Sequence, residues 1–293
     1  MFEQLFAILA PVYLCIGVGF LWRRIGRPID NQLIADLCMN LGAPCLVFSS
    51  LVALDVEMSA LAQLAVIIPL AFLIFALVGL AALRLSRLPP RSFLGPLIFP
   101  NTGNLGLPIC LFAFGTEGLL YAVVIFAITS MVQFTVGQWI WSGEISFRQL
   151  ARTPLVYAVV AGLIVIATDS EAPAWLLRTT QSLGGITIPL MQFTLGVSLA
   201  SLKVKRLPRS FAVGSLRLGM GFAVGVGLAS AFELTGVIRG VVILDCAMPA
   251  AVINYLFAEK FNRDPDEVAG VVVASTTMSL VALPLILAWL LPG

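Results

Sequence analysis

A chain of 293 residues that is 60% hydrophobic and 11% charged lies far from the roughly 25% charged content of soluble domains, which excludes a water-soluble globular fold. The net charge of +2 is small and spread over several loops, so a nucleic-acid-binding patch is excluded as well. Histidine is absent, and with it go imidazole metal sites, Ser-His triads and His proton relays.

Apolar windows of roughly 20 residues, the length that crosses about 30 Å of hydrocarbon, recur along the whole chain. The first, residues 5–21, begins almost at Met1 without a basic leader and reads as a retained span, not a signal peptide. Residues 33–54 and 61–83 follow, with Asp36 near the start of the second span as an expected exposed helix-end charge. The fourth window, residues 93–114, contains the run Pro100-Asn101-Thr102-Gly103-Asn104-Leu105-Gly106-Leu107-Pro108. No helix crosses that run unbroken, since each proline removes a backbone donor and clashes with the preceding turn. Unwound backbone at membrane depth survives only where protein or a water-filled cavity supplies its hydrogen bonds, so the break points to a transport site.

The fifth window, residues 119–141, carries Ser130, Gln133 and Gln138; the sixth, residues 155–167, is short. The seventh, residues 176–199, carries Thr187 and Gln192. In the eighth, residues 211–232, a glycine-rich stretch suits close helix packing and surrounds Arg217. The ninth, residues 237–257, has its own interruption at Pro249, flanked by Asp245 and Asn254, and the tenth, residues 268–290, carries Thr276, Thr277 and Ser279. An all-α integral membrane protein of ten transmembrane helices is expected. The five cysteines, Cys15, Cys38, Cys45, Cys110 and Cys246, all fall within spans and are expected to act as small apolar packers.

Lys and Arg concentrate in cytoplasmic loops. With the N-terminus outside, the loops after odd-numbered spans hold Arg23, Arg24, Arg27, Arg84, Arg87, Arg91, Arg148, Arg152, Lys203, Lys205, Arg206, Arg209, Lys260 and Arg263, that is 14 of the 17 basic residues. Only Arg178 and Arg239 fall in the opposite loops, which also hold Asp55, Glu57, Glu117, Asp169, Glu171 and Glu233. Both termini are therefore expected outside the cytoplasm, in a bacterial inner membrane.

Sliding one half of the chain over the other places Leu41-Gly42 over Leu183-Gly184 and Pro108 over Pro249. Five spans per half is an odd number, so the second repeat (150–293) must be inverted relative to the first (1–145). Two interrupted helices in corresponding positions mark a midplane binding site.

The Asn-x-Gly-Asn-x-Gly-x-Pro run at Asn101 to Pro108, together with Ala247-Met248-Pro249-Ala250 leading to Leu256-Phe257-Ala258-Glu259-Lys260, resembles the auxin efflux carrier family of membrane transporters. The chain thus looks like a bacterial homologue of the plant PIN-type carriers, whose fold is similar to that of bile-acid sodium symporters. The resemblance implies a 5+5 inverted repeat in which helices 4 and 9 cross at Pro100, Pro108 and Pro249. It further implies a scaffold of helices 1, 2, 6 and 7, a transport domain of helices 3–5 and 8–10, organic anions as substrates, and a homodimer formed through the scaffold. The large central cytoplasmic loop of the long plant carriers is missing, so regulation by phosphorylation there is not implied.

Residue chemistry agrees with an anionic substrate. Each half-helix that restarts after a break presents unpaired N–H groups and the positive end of its dipole to the gap, a suitable partner for a carboxylate. Asn101, Thr102 and Asn104 are the nearest side-chain donors, with Gln133 and Asn254 as further substrate-binding candidates; the alternative for such polar groups is hydrogen-bonding glue between helices. Asp245 is a candidate for coupling or charge balance through H+ or Na+, with Thr276, Thr277 and Ser279 as ion ligands, whereas the alternative is a structural ion pair with Arg217. Malate, malonate, other short carboxylates and auxin-like indole acids all satisfy the same two dipoles.

The expected function is a secondary-active carrier of a small organic anion working by alternating access, with no cofactor. A Gly-x-x-x-x-Gly-Lys-Ser/Thr ATPase motif does not occur in the chain. A passive anion channel is the alternative. An intramembrane enzyme would need a nucleophile, base or metal cluster at depth, for which the sequence offers little beyond Asp245.

Overall fold

The computed structural model describes residues 2–53, 58–143, 152–202 and 204–291. Of the loop charges counted above, Asp55, Glu57, Arg148 and Lys203 lie outside the described residues.

Helix α1 (Phe2–Arg24) is followed by α2 (Asn31–Leu37), which runs through a π-helical turn, Cys38–Gly42, into α3 (Ala43–Ala53). The carboxylate of Asp30 caps α2 by accepting from the N–H groups of Gln32 and Leu33, both at 3.0 Å. Then come α4 (Met58–Leu85), α5 (Pro90–Ile98) and, after a break and a second π-turn at Thr102–Gly106, α6 (Leu107–Val132). A third π-turn, Gln133–Gly137, leads into the short α7 (Gln138–Ser142). The second half comprises α8 (Pro154–Ala167), α9 (Ala174–Gly185), α10 (Thr187–Ser201), α11 (Leu207–Ala231), α12 (Gly236–Ala247), α13 (Ile253–Lys260) and α14 (Pro265–Leu290).

The chain is an all-α, multi-span bundle embedded in lipid. Among the described residues seven helices are long and apolar enough to cross a membrane. Outward faces carry large apolar side chains such as Leu73, Leu77, Val281 and Leu285, which water would not tolerate in such numbers. The expected fourth, sixth and ninth spans do not reach that length as continuous helices. The fourth is divided between α5 and the start of α6, the ninth between α12 and α13, and α8 has only 14 residues.

One of the seven, Thr102–Ser142, runs for 41 residues, about 60 Å at 1.5 Å per residue and twice the hydrocarbon thickness. Gly115 resolves the excess: its φ of 70° and ψ of −155° interrupt the helix, a conformation that costs glycine alone nothing. The expected boundary between the fourth and fifth spans falls there.

Backbones approach closely where small residues meet. A side chain on Gly19 would run into the carbonyl of Phe193, and one on Gly196 into the carbonyl of Ile16, so α1 and α10 touch main chain to main chain. Gly42 abuts the Thr187 side chain, and Gly184 abuts the backbone of Leu46. Within the glycine-rich α11, Gly214 packs on the backbone of Ser275 in α14 and Gly221 on Cys246 in α12. Packing of this kind is consistent with an inverted-repeat membrane fold. All five cysteines are free thiols, Cys38, Cys110 and Cys246 being buried.

Candidate functional site

Helix α5 ends at Ile98 because the residue before a proline is pushed out of the helical region: Phe99 is extended, at φ −96° and ψ 105°. Met248 ends α12 before Pro249 in the same way, at φ −60° and ψ 147°. The two extended segments meet as an isolated antiparallel bridge between Pro100 and Ala250. The N–H of Asn101 donates to the Pro249 carbonyl at 2.8 Å, and the N–H of Ala251 donates to the Phe99 carbonyl at 3.1 Å. Each break thereby supplies the hydrogen bonds that the other has lost, as backbone at membrane depth requires.

Pro108 is not part of this crossing. It sits where the Thr102–Gly106 turn passes into α6, outside the bridged residues. The residues that face each other at the crossing are Pro100 and Ala250. In that register Asn104 and Asn254 occupy equivalent places, each four residues beyond its bridged residue.

Asn101 caps the π-turn: its Oδ1 accepts from the Asn104 N–H at 3.2 Å. Its Nδ2 has no partner although the residue is only 4% exposed, a costly arrangement for an amide donor. Asn101 is one of the residues lining a cavity of about 620 Å³. Asn101, Thr102, Asn104, Ser130 and Gln133 form its inner end, together with Thr129, which the sequence reading missed. Gln133 Nε2 and Thr129 Oγ1 are likewise buried without partners. Met39, Met191 and Thr194 stand on the facing wall. The mouth is formed by the exposed Gln32, Asp36, Glu259 and Lys260.

Other predicted residues lie elsewhere. Asn254 is fully buried behind the cavity wall, and its Nδ2 donates to the carbonyls of Phe99 at 3.2 Å and Ala251 at 2.9 Å. Gln138, Thr187 and Gln192 do not line the cavity. Thr277 is exposed and its hydroxyl donates to the Val273 carbonyl, while the buried Ser279 donates to the Thr276 carbonyl. The hydroxyl that matters to the crossing is that of Ser275, which accepts from the Ala250 N–H at 3.1 Å. A proline break signals that a freed N–H needs an acceptor, but sequence alone does not say which of four neighbouring hydroxyl residues faces it.

Asp245 is 1% exposed, and neither carboxylate oxygen has a hydrogen-bond partner. It rests against Gly106, where any side chain would collide with the carboxylate. Beside it is a small cavity of about 10 Å³ bordered by Phe75, Pro100, Thr102 and Thr129, close to the least space that holds one water-sized particle. Pro100, Thr102 and Thr129 line both this cavity and the large one. The two spaces thus share a wall made of the crossing itself.

Arg217 is completely buried and does not pair with Asp245. The ion pairs among the described residues, Lys205–Asp266, Arg206–Glu267 and Arg209–Glu267, all join the starts of α11 and α14. Arg217 Nη2 instead donates to the Cys246 carbonyl at 2.8 Å, its guanidinium lies 4.6 Å over the Phe75 ring, and Nε and Nη1 have no partner.

The family described as membrane transport protein matches residues 5–143 and 139–287 of the chain. An uncharacterized transporter of Methanothermobacter thermautotrophicus is 27% identical over 292 residues, covering 94% of each chain. Another, from Methanocaldococcus jannaschii, is 25% identical over 196 residues, 63% of each. Auxin efflux carrier component 1 of Arabidopsis thaliana is 29% identical over 153 residues, which make up 48% of this chain and 23% of the plant protein.

Proposed function

We propose that this chain, which belongs to the membrane transport protein family, carries a small organic anion across the bilayer by alternating access around the crossing of its two interrupted segments. Family membership and the multi-span fold support a secondary-active membrane transporter. Its similarity to a plant auxin efflux carrier extends the proposal to carboxylates, auxin-like acids included.

The observation that carries the reading is Asn101, whose oxygen is spent on capping a half-helix and whose amide is buried and unpartnered, in a residue that lines a cavity of about 620 Å³. A carboxylate placed there receives that N–H, the Gln133 amide and the positive end of the Thr102–Gly106 turn together. Thr102 and Asn104 complete the proposed contacts, and Asn254 supports them from behind. The cavity ends at paired backbone, which suits a carrier better than an open channel.

In this proposal ten spans form two inverted repeats, 1–145 and 150–293. Helices 1, 2, 6 and 7 serve as a scaffold that dimerises, and helices 3–5 and 8–10 as the moving domain. Taking the Lys- and Arg-rich side as cytoplasmic, this proposal has both termini outside and the cavity mouth at Lys260 opening to the cytoplasm. Asp245 is the coupling group. A buried carboxylate without partners is costly, and binding of a proton or Na+ by Asp245 relieves that cost in step with substrate across the shared wall.

Counterflow of labelled malate, malonate, benzoate and indole-3-acetate into proteoliposomes tests the reading. Saturable exchange with at least one of them is expected. Ohmic single-channel currents without exchange would overturn it in favour of an anion channel.

A further inference from the structure

We propose that Arg217 is an electrostatic cap of the α12 half-helix: a fixed cation that cancels the negative end of that helix and leaves the crossing attractive to an anion that Arg217 never touches. The inference rests on the organic-anion reading above and assigns a positioning residue to it.

Four half-helix ends converge on the crossing, the C-termini of α5 and α12 and the N-termini at Thr102 and Ile253. Each end carries about half an elementary charge, negative at C-termini and positive at N-termini, so the four sum to about zero. Dipoles alone therefore give no net attraction for an anion. Arg217 is placed at one of the two negative ends. Cys246 is the next-to-last residue of α12, and its carbonyl is among the last four, which lack partners within the helix. Arg217 Nη2 donates to that carbonyl at 2.8 Å, and the Phe75 ring holds the guanidinium plane from one side.

Hydrogen bonding alone does not account for the choice of residue. A neutral donor would satisfy one carbonyl without the several kcal/mol cost of burying a charge, whereas Arg217 leaves Nε and Nη1 idle at 0% exposure. Nor is it a substrate ligand, because it lines neither cavity. It pairs with no carboxylate among the described residues. What remains is its field. With Arg217 present, the crossing carries about +1 when Asp245 is neutralised by a proton or cation, and about zero when Asp245 is ionised. Anion binding is thereby tied to the state of Asp245 through a residue that contacts neither the anion nor the coupling ion.

The test measures ligand-induced stabilisation of purified protein by malonate, benzoate and indole-3-acetate, each beside its neutral primary amide. Arg217→Gln is expected to weaken carboxylate binding roughly 5- to 30-fold and leave amide binding unchanged, with Arg217→Lys restoring at least part of the loss. Because an isolated Arg217 variant can fail to fold, the decisive comparison is Asp245→Asn against Asp245→Asn/Arg217→Gln. The double variant is expected to bind carboxylates roughly 5- to 30-fold more weakly than the single one, with amides again unaffected. Equal carboxylate affinity in the two, or equal losses for acid and amide, would overturn the assignment. If wild-type protein binds none of the carboxylates, the organic-anion reading itself fails, a result distinct from any difference between variants.

Discussion

The N–H of Asn101 and the carbonyl of Pro249, far apart in sequence, lie 2.8 Å apart across the middle of the molecule. That bond and its counterpart from Ala251 to Phe99 turn two separate helix breaks into one structure, in which neither can unwind or heal without exposing backbone groups of the other. Asn101 lines the large cavity, and its neighbours Pro100 and Thr102 line both that cavity and the small one beside Asp245. The backbone bridge and the linings of the two cavities therefore meet in one short run, Pro100 to Thr102.

Asn101→Ser separates the two jobs of this side chain. Serine is as good a helix cap as asparagine, so the turn at Thr102–Gly106 and the thermal stability should be retained, while the unpartnered amide is lost. A hydrogen bond to a charged group is worth about 1.5–3 kcal/mol, so carboxylate affinity, read by thermal shift or counterflow inhibition, is expected to fall roughly 10- to 150-fold. Wild-type affinity in this variant would show that Asn101 does not touch the substrate.

Pro108 and Pro249 look alike in the sequence but differ in the fold, so they should respond differently to alanine. Pro108→Ala restores one N–H where the Thr102–Gly106 turn passes into α6, away from the bridge between Pro100 and Ala250, and transport is expected to stay within about twofold of wild type. Pro249→Ala removes the obstacle that ends α12 and favours helix by about 3 kcal/mol, in competition with the bridge to Pro100. Initial transport rates should drop roughly fivefold or more. Equal rates for the two variants would mean that the break is not required.

Ser275→Ala tests how the crossing is held from outside. Removing the hydroxyl strands the buried Ala250 N–H, which costs about 1–3 kcal/mol. The unfolding midpoint in detergent should fall by a few degrees, with substrate affinity little changed because Ser275 does not line the cavity. A variant as stable as wild type would indicate that Ala250 finds another acceptor.

Proline and glycine announce interruptions locally, and so the breaks at Pro100 and Pro249 were legible from the chain alone. Asn101 and Thr102 were legible as candidates for the same reason, since they are polar groups beside a break, whereas Gln133 stood out only as a polar residue on a neighbouring span. What cannot be read locally is which distant group satisfies a freed N–H. Ser275 and the bracing role of Asn254 belong to that class: each depends on the relative rotation of helices far apart in the chain. Arg217 and Asp245 are a related case. Two opposite charges at similar depth suggested an ion pair, yet the close packing of α11 on α12 at Gly221 directs the arginine to a helix end and leaves the carboxylate against Gly106.

Asp245→Asn addresses the coupling role. Since no cation pairs with this carboxylate among the described residues, the variant leaves no opposite charge newly stranded, and it should fold with wild-type yield, unlike the rupture of a buried ion pair, which costs about 3–5 kcal/mol. The amide mimics the neutralised carboxyl at nearly constant volume, so substrate binding should persist. Accumulation driven by a proton or Na+ gradient should be lost, because the group that takes up and releases the ion is gone, while substrate-for-substrate exchange continues. Proteoliposomes loaded with unlabelled substrate report exchange, and empty proteoliposomes under an imposed gradient report accumulation, so both readouts come from one preparation. If gradient-driven uptake matches wild type, the coupling ion binds elsewhere, and the search turns to the backbone carbonyls of the two broken segments and to Thr276, whose buried hydroxyl has no partner.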